Sequence, residues 1–217
     1  MPSWSNHFRV ADALWEKLDI DKEYFAVGTV APDCGIQTAP HGIYDPPTGA
    51  THFTSDYEYS KKTDCDYEYI YREFVKGEKD LKKYSFYLAY YIHLFVDCYF
   101  AKNVFLPIEA RYGDFRENEE LSQRVKLERG NIDRLYLSTH ESPSLELFKS
   151  IKSFDEAYPE WYKSGQITRQ MENIKRAYEN VTPENMEYIY LTPEVMEKFH
   201  AEVLEALKKE LKSKKII

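Results

Sequence analysis

The most apolar stretch of the chain, residues 82–103, carries two polar residues that an apolar helix does not need. His93 and Asp97 are four positions apart, so on a helix they lie on the same face. Burial of an imidazole and a carboxylate among aromatic and aliphatic side chains is unfavourable unless something satisfies both groups. A divalent metal ion such as zinc would satisfy them, and so would a hydrogen bond that ties the helix to a neighbour.

The length, charge and cysteine content of the chain limit its domain number, its partners and its cellular location. No Ser/Gly-rich or Pro-rich tract divides the 217 residues, so we expect a single domain over residues 1–217. The formal net charge of -8 disfavours nucleic acid as a partner. The N-terminal residues lack the pattern of a secretory signal, and the three cysteines form no CxxC pair, so a cytoplasmic location is expected. No uninterrupted apolar run reaches about 18 residues, so no transmembrane segment is expected.

Apolar residues at three- and four-residue spacing predict an all-α fold, a single-domain multi-helix bundle. The last predicted helix begins after the capping residue Thr192, and Ser5 is the expected N-cap of the first. No strand pattern is found, and residues 35–59 are predicted to form an ordered loop. Pro32 and Gly35 end regular structure and leave Asp33 on a turn. The predicted helices cover residues 6–17, 66–75, 78–102, 117–127, 144–154, 166–178 and 193–213, with a short helical or irregular piece at 22–29.

Polar residues in apolar or turn settings come from four separate segments. In chain order they are His7, Asp33, His52, His93 and Asp97. Metal sites in helical proteins are often assembled from facing helices, with further ligands supplied by loops. Imidazoles and carboxylates in this mixture match zinc, and they suffice for one site or for two sites that share a carboxylate. The alternatives are a turn-forming aspartate, exposed loop histidines and a buried hydrogen-bonded pair.

Other histidines and cysteines have simpler interpretations. His41 lies in the same loop as His52 and could replace it as a ligand, although its Pro-His-Gly setting predicts a turn. His140 precedes a helix and is expected in a cap region, and His200 lies beside the apolar stripe of the last helix, where a structural role is expected. Cys34 and Cys98 each follow a candidate ligand; a thiolate could bind zinc, but a small buried apolar side chain is the more common use.

Three segments, FAVGTVAPD at residues 25–33, THF at 51–53 and FYLAYYIHLFVD at 86–97, resemble the zinc-dependent phospholipase C family. This family includes bacterial phospholipases C and the clostridial alpha-toxin catalytic domain, and it is distantly related to the S1/P1 nucleases. The resemblance covers residues 5–135, and the C-terminal helices at 143–213 have no counterpart. It implies an all-α fold with a cluster of up to three metal ions that hydrolyses phosphodiesters.

The resemblance implies a role for each candidate ligand. Asp33, His52, His93 and Asp97 would hold one metal ion. His7, Asp97 and the N-terminal amine would hold a second ion, with Asp97 as the bridge. Asp33 would also orient or deprotonate the attacking water. We therefore expect one or two zinc ions.

The chain departs from the family at the third metal ion. The family uses a histidine six residues after the bridging aspartate, where this chain has Asn103, and then a His-x-x-x-Glu pair, where it has Arg124 and Glu128. The third site is therefore predicted to be lost. Arg124 and Glu128 are expected to bind substrate, with the guanidinium taking a phosphate oxygen in place of the cation. The alternative is that Arg124 is a surface residue of an amphipathic helix.

These observations predict a metal-dependent hydrolase of a phosphate ester, in which a metal-activated water attacks a phospholipid or a small soluble phosphodiester. The alternative is a non-catalytic family member that keeps a structural metal ion and binds a ligand or partner. An all-α protein without any metal is the third possibility.

Overall fold

The long apolar segment forms the central helix of the fold. The structure is a computed structural model that describes residues 2–39, 43–56 and 61–217. The expected all-α class is confirmed, with one small hairpin in addition. In this part of the chain the helices are α1 (Trp4–Leu14), α2 (Lys22–Gly28), α3 (Thr48–His52), α4 (Tyr67–Ile70), α5 (Leu81–Phe100), α6 (Leu106–Tyr112), α7 (Glu119–Leu137), α8 (Pro143–Ser150), α9 (Gln166–Ala177) and α10 (Pro193–Ser213).

Tighter and wider helical turns link some of these elements. The 3₁₀ turns Trp15–Lys17 and Ala31–Asp33 follow α1 and α2. The π-helical turns Tyr71–Val75 and Ala101–Phe105 extend α4 and join α5 to α6. No helix within the described ranges combines the length and the apolar character that a membrane crossing requires.

Helix α5 is buried on nearly every side because apolar and aromatic side chains surround its axis. The Asp80 carboxylate caps its first turn by accepting from the backbone N–H groups of Lys82 and Lys83. Helices α1, α2, α4 and α10 pack against it. Phe199 and Val203 of α10 join the same hydrophobic core as α5, so the C-terminal helices complete the packing of the family-like part.

Helices α2 and α5 approach each other unusually closely at Gly28. A Cβ atom added there would lie 2.2 Å from the carbonyl oxygen of Phe86, closer than any real side chain could lie. Glycine therefore permits the contact between the two backbones. The next residue, Thr29, consequently presents its carbonyl oxygen to α5.

A short antiparallel hairpin precedes α3. Strands β1 (Ile36–Ala39) and β2 (Ile43–Asp45) pair with Ile36 opposite Asp45. The Gln166 side chain donates to the carbonyl oxygens of Cys34 and Asp45 and so ties the hairpin to α9. Neither the strands nor α3 was predicted, because segments of three to five residues are too short to show a hydrophobic periodicity.

Several helix boundaries differ from expectation. Helix α1 begins at Trp4, so Ser5 is buried inside the helix and is not its N-cap. Helix α7 continues to Leu137 because Gly130 is accommodated within it, whereas α8 ends at Ser150. Thr192 caps α10 as predicted, its hydroxyl accepting from the backbone N–H of Val195.

Candidate metal centre

The predicted ligands converge on the Asp97 carboxylate in the last turn of α5. The Nε2 atoms of His52 and His93 lie 3.1 and 3.4 Å from Oδ2 of Asp97, and His7 Nε2 lies 3.3 Å from Oδ1. Asp33, on the 3₁₀ turn after α2, places its Oδ1 atom 3.4 Å from His52 Nε2. Asp33, His52, His93 and Asp97 offer ligand atoms that all lie within 4.8 Å of one another. Four separate elements therefore meet at one candidate metal site.

Backbone carbonyl groups orient two of the imidazoles. His93 Nδ1 donates to the carbonyl oxygen of Thr29, and His52 Nδ1 donates to that of Thr48, each at 2.8 Å. Because a carbonyl oxygen can only accept, Nδ1 carries the hydrogen and Nε2 of the neutral ring keeps a lone pair. Both Nε2 atoms are buried without a hydrogen-bond partner. Proteins orient histidine metal ligands in this way, so the donor set fits a divalent ion such as zinc.

His7 adds a third imidazole to the cluster. Its ring stacks on that of His93, with centroids 3.8 Å apart and planes within 6°. Neither of its nitrogens has a hydrogen-bond partner in the described structure. Burial, reinforced by His93, lowers the pKa of His7 to about 4, so the ring is neutral and can act as a ligand. The other ligand expected at this second position is the N-terminal amine, of Met1 or of an exposed Pro2. Met1 lies outside the described residues, as does His41.

Lys62 also lies in the cluster, although no sequence pattern indicated it. Its Nζ atom lies 2.6 Å from Asp97 Oδ2 and 3.1 Å from Asp33 Oδ1, and its side chain is 1% exposed. Burial alone would raise the pKa values of Asp33 and Asp97, but the Lys62 charge brings both well below their usual range. Burial opposes the ammonium form of Lys62, yet the two carboxylates raise its pKa overall. The cluster is therefore an ion-pair network as well as a candidate metal site.

Asp33 connects the cluster to a cleft of about 690 Å³. The Trp4 indole N–H donates to Asp33 Oδ2 at 3.0 Å, and Asp33 is the one predicted ligand that borders this cleft within the described residues. Helices α7 and α9 supply the facing wall. That wall is rich in cations: Lys126, Arg129, Arg134 and Arg169.

Arg124 and Glu128 bind each other and the segment that precedes α10. The buried Glu128 carboxylate accepts from the backbone N–H groups of residues 189–191 at 2.7–3.0 Å and from Arg124 Nε at 3.0 Å. Arg124 also donates to the carbonyl oxygen of Glu187. These contacts fasten the segment before α10 to α7, and neither side chain borders the cleft. The expected substrate-binding role of Arg124 and Glu128 therefore has no geometric support. Asn103 is exposed and donates to the carbonyl oxygen of Tyr99, so it contributes nothing to a third site.

In the described ranges, His140, His200 and the cysteines are not among the clustered ligand groups. His140 is exposed and stacks on Tyr136. His200 is buried against Asn6, and burial, followed by nearby cationic charge, lowers its pKa to about 3. The three cysteines are free and buried, and Cys98 donates from its thiol to the carbonyl oxygen of Thr63. His200, Cys34 and Cys98 are buried, which is compatible with the structural use expected of them.

The comparison with known families agrees with this geometry. Residues 6–100 match the family model described as zinc dependent phospholipase C. Neither a curated protein nor a solved structure matches the chain. The matched range contains every predicted ligand of the cluster but ends before α7 and α9, which form the cationic wall. Residues 6–100 are therefore similar to the zinc-dependent phospholipase C family, and the Asp33, His52, His93 and Asp97 cluster within them is the candidate metal site.

Proposed function

We propose that this protein is a metal-dependent hydrolase of phosphate esters that prefers phosphodiesters. The observation that carries the proposal is the position of Asp33, which belongs both to the ligand cluster and to the lining of the cationic cleft. A substrate bound in this cleft would reach the metal site through Asp33. The family match over residues 6–100 supports the same class of chemistry.

The cationic wall of the cleft suits an anionic substrate. Lys126, Arg129 and Arg169 border the cleft in a chain whose net charge is -8, so their grouping is not a consequence of overall composition. Arg169 makes no ion pair with the described residues, and its guanidinium can donate two parallel hydrogen bonds to a phosphate. We therefore assign phosphate binding to this wall in place of Arg124 and Glu128.

The residues of the site divide the chemistry between them. Zinc held by Asp33, His52, His93 and Asp97, with His7 at a second position, would supply Lewis acidity and lower the pKa of a water molecule. Asp33, held by the Trp4 indole at the edge of the cleft, accepts a hydrogen bond from the attacking water and orients it. The guanidinium groups of the wall stabilise the negative charge that develops on the phosphoryl oxygens.

The leaving alkoxide needs a proton, and Asp133 borders the same cleft. Burial raises the pKa of Asp133 to about 6, against the opposing effect of the hydrogen bond from Ser3. A carboxyl group with such a pKa retains its proton in a useful fraction of molecules near neutral pH. We assign Asp133 as the general acid.

The cleft volume is typical of a small-molecule site, for which the usual range is about 300–1,000 Å³. A phospholipid head group and a small soluble phosphodiester both satisfy the chemistry of the wall. Nucleic acid is not proposed, since the chain carries a net charge of -8. The cytoplasmic location stays a prediction.

One observation favours a second candidate function. The Lys62 ammonium already pairs with both Asp33 and Asp97 and offsets one of their two negative charges. In this second candidate the protein would be a non-catalytic family member that binds an anionic ligand in the cleft without turnover.

Metal content and hydrolysis distinguish the two candidates. The protein is purified without added metal or a histidine tag, and its zinc content is measured before and after zinc addition. Hydrolysis is then measured with bis(p-nitrophenyl) phosphate, p-nitrophenyl phosphate and phosphatidylcholine vesicles. The hydrolase predicts zinc-dependent turnover of a diester that a chelator abolishes. Bound zinc without turnover of any ester would instead support the ligand-binding protein.

A variant of the cationic wall tests substrate binding. Arg169→Ala should raise KM for the diester by about 10- to 150-fold, because it removes a guanidinium contact worth roughly 1.5–3 kcal/mol. Arg176→Ala is the control, since Arg176 is exposed on the same helix and does not border the cleft. Equal KM values for the two variants would remove α9 from the substrate site.

A further inference from the structure

The ammonium group of Lys62 contacts the same two carboxylates that a metal ion in this cluster needs. It lies within 3.1 Å of Asp33 Oδ1 and 2.6 Å of Asp97 Oδ2, and these residues also supply oxygen ligands to the candidate metal site. We propose that Lys62 is a built-in cation that competes with zinc, so that the site has a Lys62-in state without metal and a metal-bound state with Lys62 displaced.

The turn that carries Lys62 is fastened to its surroundings. The neighbouring Lys61 ammonium lies 2.8 Å from Glu109 and 2.9 Å from Asp114. The Cys98 thiol, next to Asp97 in the chain, donates to the carbonyl oxygen of Thr63 at 3.1 Å. This turn is therefore held against α5, which makes the inward position of Lys62 a built feature of the fold.

The backbone at Lys62 supports the same conclusion. Its φ angle is +58°, in the left-handed region that residues with a Cβ atom adopt only when surrounding contacts hold them there. The Cys65 thiol donates to the Lys62 carbonyl oxygen at 3.4 Å, and the ammonium is held by the two aspartates. A lysine that served only to cover the surface would not require this conformation.

Two cations cannot share these oxygen atoms at close range. A zinc ion bonded to Asp33 and Asp97 would face the ammonium in a pocket that excludes water, and like charges so placed repel strongly. Zinc can therefore bind only to molecules in which Lys62 has moved away. The apparent affinity for zinc is reduced by the fraction of such molecules.

Lys62 does not replace the metal completely, because it leaves part of the cluster unsatisfied. The Nε2 atoms of His52 and His93 have no hydrogen-bond partner even with Lys62 in place. Zinc would satisfy both lone pairs as well as the carboxylates, which the ammonium does not. The two states therefore compete, and neither occupant is a simple substitute for the other.

The first test measures zinc affinity by titration calorimetry against a competing chelator. Lys62→Met keeps the length of the side chain and removes its charge. If the Lys62-out state holds roughly 1–10% of the molecules, this variant should bind zinc about 10- to 100-fold more tightly than the wild type. Lys61→Met is the matched control and should bind zinc as the wild type does, since Lys61 pairs with Glu109 and Asp114.

The outcomes separate this inference from the proposed function, on whose metal site it rests. Zinc binding by Lys62→Met and not by the wild type would confirm the competition and overturn zinc-dependent hydrolysis by the natural chain. Equal affinities would overturn the competition and leave the hydrolase intact. Weaker binding by Lys62→Met would also overturn the competition, and uptake by neither protein would overturn both.

Lys62→Met removes the ammonium partner of two carboxylates, so this variant can lose stability. A second measurement therefore uses only the wild-type protein. Wild-type protein is treated with a lysine-acylating reagent, and modification of Lys61 and Lys62 is mapped by mass spectrometry. Without zinc, Lys62 should be protected, because its side chain is 1% exposed. Saturating zinc should expose it to the reagent, whereas continued protection of Lys62 with zinc bound would overturn the inference.

Discussion

Two histidines of the cluster are held in a fixed orientation, yet one ring nitrogen of each lacks a hydrogen-bond partner. The carbonyl groups of Thr29 and Thr48 hold His93 and His52 in one tautomer, and both Nε2 atoms remain without a partner. A buried polar atom without a hydrogen bond destabilises a protein by roughly 1–3 kcal/mol. The zinc-free cluster is therefore unfavourable for stability, and a ligand that accepts these lone pairs would stabilise the fold by binding to it.

His93→Ala tests this consequence at the residue that the sequence indicated most directly. The variant should abolish zinc uptake, and the rise in melting temperature that zinc causes in the wild type should disappear with it. Without zinc, its free energy of unfolding should fall by about 1–3 kcal/mol, because the carbonyl of Thr29 loses its donor. Zinc titration and thermal unfolding measure both effects.

His140→Ala provides the control, since His140 is exposed and stacks on Tyr136, which is not part of the cluster. It should bind zinc and unfold as the wild type does. Unchanged zinc uptake by His93→Ala would favour an all-α protein without a metal at this site.

The sequence indicated the residues that meet in the cluster but not Lys62, which lies among them. His93 and Asp97 are evident from their spacing on an apolar helix, and the family resemblance orders the remaining ligands. Lys62 lies in a Lys-Lys-Thr-Asp run of the kind found in exposed loops, so its burial depends on tertiary contacts. The same limit applies to Glu128, whose backbone partners are more than 60 residues away.

At the scale of elements, buried tyrosine hydroxyls position the short segments that carry ligands. Tyr90 of α5 donates to the carbonyl oxygen of Thr51 at 2.5 Å, which fixes α3 and therefore His52. Tyr162 donates to the carbonyl oxygens of Ala31 and Pro32, which fixes the turn that presents Asp33. These bonds give a structural role to two of the 19 tyrosines of the chain.

Gly28→Ala tests the contact between α2 and α5. The added Cβ would meet the Phe86 carbonyl oxygen at 2.2 Å, and since that atom is backbone, one helix must shift. We expect a loss of about 1–3 kcal/mol in the free energy of unfolding, measured by urea denaturation. Zinc affinity should also fall, because the carbonyl of Thr29 would no longer hold His93 in place.

Gly130→Ala is the matched control, because the nearest atom to its added Cβ would be a flexible side-chain atom 4.0 Å away. It should keep or slightly increase stability, since alanine favours the interior of a helix. Equal stability of the two variants would contradict the close contact of α2 with α5.

The long helices were predictable because each contains several turns of apolar periodicity. The hairpin and α3 were not, since their order depends on contacts from other elements such as Gln166 and Tyr90. The site therefore combines a predictable central helix with short ligand-bearing segments that only the folded structure defines.

For the whole molecule, the candidate metal cluster and the cationic wall of the cleft come from different parts of the chain. The cluster lies within residues 6–100, the part that matches the family, whereas α7 and α9 of the cleft wall lie beyond it. The charge of the cleft is set by residues such as Arg129 and Arg169, which the family pattern did not identify. In the proposed hydrolase, catalytic chemistry and substrate choice would therefore belong to separate parts of one fold.

Buried titratable groups in both parts link stability to pH. Burial lowers the pKa of His7 to about 4 and that of His200 to about 3, whereas it raises the pKa of Asp133 to about 6. Between pH 4 and 6.5 the unfolded chain protonates both histidines, whose usual pKa is about 6.5, so the folded state loses stability as pH falls. Asp133 acts in the opposite direction, because only the folded state holds its proton between about pH 4 and 6.

Two histidines against one carboxyl group leave a net loss of stability on acidification. For the zinc-free protein we expect the free energy of unfolding to be about 2 kcal/mol lower at pH 5 than at pH 7, measured by urea denaturation. His200→Gln should reduce this difference, because it removes one of the two groups that the unfolded state protonates. Asp133→Asn should enlarge it, since the opposing carboxyl group is gone. Equal or greater stability of the wild type at pH 5 would contradict the buried, neutral state of the two histidines.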